Sequence, residues 1–303
     1  MCDRSSAGWQ EVSRILPKVY ATSVAAQGEL ILVGTQDGIY RSGDQGHSWQ
    51  PANSGLTHRH IRWLSIHPQD AQRIFAGSEP AGIFASFDGG LTWQPRPEVF
   101  ELRDRNRWYL PYSPEAGCVR GFAFLEEHGY AAVEVGGLLI SKDFGDSWQP
   151  APGNQSPDES LHADVHSIAV HPSSPNLIAA PTGGGFYLSA DGGLTWRNRY
   201  RGSYCRAVWW DPTDKEHMIL GVADGVDRNG RIEQTRDGGL TWSEASAGLD
   251  LPWQHHMVER FLQLGDELFA VLSNGELWLT SLGIITWERI LPQVAHVHAA
   301  VGY

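Results

Sequence analysis

An eight-residue phrase that returns along the chain constrains the fold more than any other feature. Residues 86–93 read Ser-Phe-Asp-Gly-Gly-Leu-Thr-Trp. The phrase returns at 189–196 as Ser-Ala-Asp-Gly-Gly-Leu-Thr-Trp and at 235–242 as Thr-Arg-Asp-Gly-Gly-Leu-Thr-Trp. Looser copies occupy 42–49 and 141–148, and a worn copy at 280–287 has Leu282 where the others have aspartate. Asp44, Asp88, Asp143, Asp191 and Asp237 follow one another at intervals of 44 to 55 residues. A period of that length is one supersecondary unit repeated, not a string of unrelated elements. The octad has a physical job. Aspartate accepts backbone N–H bonds across a tight turn, and the glycines supply positive φ. The closing tryptophan starts a strand and packs inward. Six of the 13 tryptophans occupy that position.

The segments around each octad repeat a second pattern. In the second unit an apolar run at 61–66 meets His67-Pro68; shorter apolar runs follow at 73–77 and 82–86, the last entering the octad. The fourth unit repeats this at 165–170, His171-Pro172, 177–180 and 185–189, and the fifth at 205–210 with Asp211-Pro212. Other first strands are expected near 19–25, 119–125 and 258–264. Short, apolar strands joined by Gly- and Pro-rich turns suit sheets covered on both faces. No segment shows the period of an amphipathic helix. The expectation is an all-β chain: one β-propeller over 1–303, with about six four-stranded blades and octad turns between third and fourth strands. The phrases at 9–19 and 287–294 resemble two copies of one outer strand. The tail at 296–301 reads as a further inner strand. A partial seventh blade and the manner of ring closure stay open.

The octad is the Asp box, or BNR repeat, and the chain resembles the Asp-box propellers from about residue 19 to 287. That group includes sialidases, sortilin-type receptor domains, xyloglucan-cleaving enzymes and a photosystem II assembly factor. The resemblance implies the propeller fold, with the boxes lying away from the functional face and their aspartates structural. It also implies either a glycoside-hydrolase-like activity or a non-catalytic binding and assembly role. Sialidases carry a Phe/Tyr-Arg-Ile-Pro motif. This chain has Arg-Ile-Leu-Pro at 14–17, with an extra residue, and repeats it at 289–292.

The formal net charge of −12 argues against a broad nucleic-acid-binding face. Cys2, Cys118 and Cys205 are too few and too scattered for a disulfide or zinc framework. No apolar stretch reads as a leader or a membrane span. The expectation is a cytoplasmic protein without a cofactor or membrane partner.

In a propeller of this strand order the starts of first strands and the ends of second strands share one face. Those positions are polar here. First-strand starts carry His60, Arg62, Arg120, His162, Asp164, His166, Arg206, Glu259 and Arg260; second-strand ends carry Gln36, Glu79, Glu134, Thr182 and Asp224. A glycosidase needs two carboxyl groups across a pocket, for which Glu79 and Glu134 are the first candidates, with Asp164 and Asp224 as alternates. His60, Arg62, Tyr112, Arg120, His162, His166, Arg206 and Arg260 are the candidate ligand-binding residues, arginine being suited to an anionic group. The expected partner is a small polar or carbohydrate ligand, or a protein docked on the channel face. Trp108, Tyr109 and Trp253 would flank such a platform. His162-x-Asp164-x-His166 sets alternate residues on one strand face. It is a candidate metal triad, while His60, His162 and Asp164 are a candidate acid–base group for a hydrolase or lyase.

Overall fold

A computed structural model describes the chain apart from residues 6, 7, 12, 14, 15, 17, 18, 110–116, 153–159, 295 and 303. Six four-stranded antiparallel sheets succeed one another along it as propeller blades. Blade one is Ala21–Gln27, Leu30–Thr35, Gly38–Ser42 and Gln50–Pro51; blade two is His60–His67, Asp70–Glu79, Gly82–Ser86 and Gln94–Pro95. Blade three is Cys118–Leu125, His128–Glu134, Gly137–Ser141 and Gln149–Pro150; blade four is Ala169–Val170, Ile178–Thr182, Gly185–Ser189 and Arg197–Arg201. Blade five is Tyr204–Trp210, Met218–Ala223, Arg231–Thr235 and Ser243–Glu244; blade six is Val258–Leu264, Glu267–Leu272, Leu277–Ser281 and Ile284–Ile290.

Each octad is the turn from third to fourth strand. Asp191 accepts hydrogen bonds from the Ser189 hydroxyl (2.8 Å), the Leu194 and Thr195 amides (3.0 and 2.9 Å) and the Thr195 hydroxyl (2.6 Å). Asp88 and Asp237 repeat the same four bonds. The two glycines take φ of +69° and +81° at Gly89 and Gly90, where a side chain would be strained. A Cβ on Gly90 would also lie 2.6 Å from Leu32 of blade one, so the turn is pressed against its neighbour. Three of the closing tryptophans fasten blade to blade. Trp93, Trp242 and Trp287 donate their indole N–H to the carbonyls of Ala52, Arg199 and Ala245, in the blade before each. In the worn sixth copy the Thr280 hydroxyl accepts the Thr286 amide (2.8 Å) where the aspartate would have acted.

Inner strands pack so closely that the facing residue is glycine. A Cβ on Gly34 would sit 2.8 Å from Ile61, on Gly77 2.8 Å from Val119, and on Gly221 2.7 Å from Val258, each on the first strand of the next blade. The core is thus a set of slabs between blades; Phe75, Val119, Phe122 and Trp148 form one between blades two and three.

Three local expectations are corrected. A helix, Pro97–Asn106, occupies the long link from blade two to blade three. Proline at its first position and Glu98 in its first turn favour the start, but only Val99 and Leu102 are buried, too few to write a period into the sequence. Blade four's first strand is Ala169–Val170, not 165–170. Its partner strand contains Pro181, which has no N–H to give the ladder, and only its carbonyl is used, by the His166 amide at 3.0 Å. At the N-terminal end, Cys2–Ser5 pairs with Gly8–Glu11 as a separate hairpin, and blade six supplies its own fourth strand. Trp9 packs edge-on against Phe269 of blade six (5.4 Å, 82°). The tail carries no strand from 296 to 302; Val297 donates to the Gly275 carbonyl at 3.4 Å. An apolar cavity of about 380 Å³, bordered by Trp9, Val24, Leu262, Phe269 and Val301, lies at this seam between blades six and one.

Candidate ligand site at the channel mouth

The first strand of every blade carries one residue too many. In blades one, two, three, five and six the pairing with the second strand skips Thr22, Arg62, Arg120, Arg206 and Glu259 respectively. In blade four Val165 faces Thr182 and Ala169 faces Ala179, so four steps on one strand match three on the other. The position there corresponding to Arg62 is His166, five residues before the His-Pro turn in both blades. A β-bulge breaks the alternation of side chains and re-aims the extra one. Six bulges at one level give a ring: Thr22, Arg62, Arg120, His166, Arg206 and Glu259.

The ring opens into a cavity of about 450 Å³, bordered by Thr22, Gln36, His60, Arg62, Arg120, Tyr204, Arg206, Glu259, Arg260 and His298 among others. Its charges are largely paired. Glu259 bridges Arg120 (3.2 Å) and Arg206, with which it makes a very short contact. Arg120 also reaches Glu134 (3.3 Å), which accepts from the Cys118 thiol at 3.0 Å. Arg62 and His60 flank Glu79 at 3.4 and 3.6 Å. Arg260 differs: among the described residues it pairs with no carboxylate. It donates to the Thr22 carbonyl at 3.0 Å and lies 4.1 Å over the Trp63 ring.

Electrostatics follow the pairing. Burial would raise the Glu134 carboxyl, but Arg120 and the Cys118 bond overcome it and hold its pKa to about 2. Glu259 is likewise lowered, Arg206 and Arg120 outweighing burial. Burial lowers His60, with Glu79 opposing and Arg62 assisting. Arg260 is pulled down to about 9 by burial and then by Arg120, with Glu259 opposing.

Of the residues expected at this site, His60, Arg62, Arg120, Arg206 and Arg260 border the cavity, and Glu79 and Glu134 sit behind their arginines without bordering it. Asp224 stands apart, paired with Arg231 (3.0 Å) and Asn229 (2.9 Å) beside a different cavity. Tyr112 lies outside the described residues. His162 does not join Asp164 and His166. Its Nδ1 accepts the Asp164 amide (3.2 Å) and its ring lies over Gly184. Residues 162–168 form no continuous strand, only an isolated bridge at Val165, so strand alternation does not align the three. Glu134 of blade three takes the third place instead: one donor atom each from Glu134, Asp164 and His166 lie within 4.8 Å of one another. Trp108 and Trp253 are core residues, 6% exposed, and not a docking surface; Tyr109 is exposed. Tyr204 and Thr22 were missed as lining residues, although both stand at first-strand starts. The three cysteines are free, with Cys118 and Cys205 buried.

No protein-family model matches the chain. An oligoxyloglucan reducing-end-specific xyloglucanase from Emericella nidulans is 24% identical over 215 residues, covering 66% of this chain and 25% of that protein. The crystal structure of an ancestral GH74 enzyme superposes with a TM-score of 0.68 at 18% identity, over 89% of this chain and 38% of that one. YCF48 bound to D1 peptide superposes with a TM-score of 0.58 at 15% identity, over 88% and 79%. The chain spans only a quarter of the curated relative and well under half of the GH74 enzyme. Its fold superposes on part of that GH74 enzyme and on most of YCF48.

Proposed function

We propose that this chain is an Asp-box propeller that binds the anionic group of a polar ligand at its channel mouth, without itself cleaving the ligand. The observation that carries the reading is Arg260. Four guanidinium groups, on Arg62, Arg120, Arg206 and Arg260, meet three carboxylates, on Glu79, Glu134 and Glu259. Arg260 is thus left without a carboxylate partner among the described residues, beside an open cavity. Bringing a charge out of water is costly unless it is paired, and a carboxylate entering the cavity pairs it. Guanidinium suits carboxylate geometry. The likeness to YCF48, which was solved bound to a peptide, supports a binding use of this fold.

A glycoside-hydrolase reading has the xyloglucanase relative in its favour. The ion pairs weigh against it, because the general acid of a glycosidase must hold a proton at working pH. Glu134, held to about 2, is ionised, and Glu79 is committed to Arg62 and His60.

Calorimetric titration separates the readings. A peptide with a free C-terminal carboxylate is compared with its amide, and glucuronate with glucose. The anionic member of at least one pair is expected to bind, and Arg260→Gln to weaken it about tenfold or more, the loss of a charged hydrogen bond being worth about 1.5–3 kcal/mol. Equal binding of charged and neutral members ends the anion reading. Release of reducing ends from xyloglucan, abolished by Glu79→Gln and Glu134→Gln, would establish the hydrolase instead.

A further inference from the structure

Nε2 of His166 is among the buried nitrogens beside the ring that make no hydrogen bond within the described residues. The His166 side chain is fully buried, and its Nδ1 lies 2.7 Å from the Cys205 carbonyl oxygen. A carbonyl only accepts, so Nδ1 carries a proton, and a ring with that one proton presents a lone pair at Nε2. Nε2 faces Asp164 Oδ2 at 3.2 Å, yet it makes no hydrogen bond among the described residues, and neither does the buried Oδ1 of Asp164. Glu134 brings a third donor atom within 4.8 Å of both. Three electron-pair donors, two of them anionic, therefore converge. Arg120 offsets one of the two carboxylates, Glu134, and a cation among the three donors would offset both.

We propose that Glu134, Asp164 and His166 hold one divalent transition-metal ion, zinc in the first place. One imidazole and two carboxylates are hard-to-borderline donors that suit zinc, and three protein ligands leave a position open. The surroundings are those of a ligand set. The Cys205 carbonyl fixes the tautomer and orientation of His166, as the outer partners of metal-bound histidines do. Tyr204 covers the ring at 4.5 Å between centroids. The Cys118 thiol and Arg120 orient the Glu134 carboxylate. The ligands come from two blades, so no sequence motif announces them. The site stands on its own geometry and does not depend on anion binding at Arg260.

The test is zinc uptake by the full chain after chelator treatment, measured by equilibrium dialysis and calorimetry at neutral pH. One saturable equivalent is expected. Asp164→Asn, at the partly exposed edge where folding is least disturbed, weakens uptake at least tenfold, and His166→Gln does the same if circular dichroism shows it folded. His162→Ala leaves uptake within twofold of the parent. Absence of a saturable equivalent overturns the proposal, and so does uptake that Asp164→Asn leaves unchanged, which would mark zinc on surface histidines. Loss of zinc with His162→Ala overturns the ligand set in favour of the His162–Asp164–His166 triad. A nitrogen-labelled histidine spectrum that shows His166 protonated at both nitrogens above pH 8, with no zinc taken up, means a proton fills the gap and likewise refutes the site.

Discussion

Gly77→Ala tests the spacing that sets up the whole channel. Gly77 lies on the second strand of blade two, and an added Cβ would meet the Val119 carbonyl oxygen at 2.6 Å and Val119 Cβ and Cγ1 at 2.8 Å. Two of those atoms are backbone or close to it, so no side-chain rotation relieves the contact. The strand or the blade must move. Overpacking of this kind costs about 1–3 kcal/mol. Against it stands a gain of about 0.4–1 kcal/mol, because alanine restricts the unfolded chain more than glycine does. The net expectation is destabilisation of about 1–2 kcal/mol. Gly121→Ala is the matched control. It also lies in a strand with no positive φ, but its nearest neighbours would be at 3.5 Å, an ordinary contact. That variant is expected to be neutral or slightly stabilised. Urea unfolding followed by tryptophan fluorescence compares the two midpoints, with the slope checked for constancy. Equal midpoints for Gly77→Ala and Gly121→Ala would refute the argument that blade spacing, and not strand propensity, selects glycine there. Because Val119 adjoins Arg120, Gly77→Ala is also expected to weaken any ligand held by the arginine ring.

Asp191→Ala removes the acceptor of four hydrogen bonds in one octad and is expected to cost about 2–3 kcal/mol, part of the loss being returned by water; a urea midpoint unchanged from the parent would show the box to be dispensable. The octad carboxylates also set an acid limit. Burial opposes it at Asp88, but the Thr92 and Ser86 bonds hold that group to about 2, and the Thr241 and Thr235 bonds hold Asp237 to about 2, against an ordinary 3.8. A folded-state pKa below the unfolded one adds stability above the unfolded value and loses it as pH falls through the folded one. The melting temperature is therefore expected to fall between about pH 4 and pH 2, and Asp237→Asn to make the decline shallower; an identical acid profile in parent and variant would contradict this.

The blades were legible because the octad is local: eight consecutive residues carry the turn, its bonds and the tryptophan that, in three copies, reaches back to the preceding blade. The channel was legible only in outline. Reading first-strand starts by position found Arg62, Arg120, Arg206 and Arg260, yet it gave no reason for them to converge, since strict alternation would have sent some to the wrong face. The bulges supply the reason, and a bulge is a statement about two strands that neither strand makes alone. The same limit explains the misplaced triad. His162, Asp164 and His166 are evenly spaced in sequence, but Pro181, on the partner strand, interrupts the ladder there, and the group that approaches His166 is Glu134 from another blade. Trp108 and Trp253 failed for a related reason: an aromatic in a long link looks exposed until the blade beneath it is known. Local chemistry predicts local structure in a propeller, whereas its site is made at the ring's centre, where Arg120 and Arg206 meet Glu259 across 139 and 53 residues of chain.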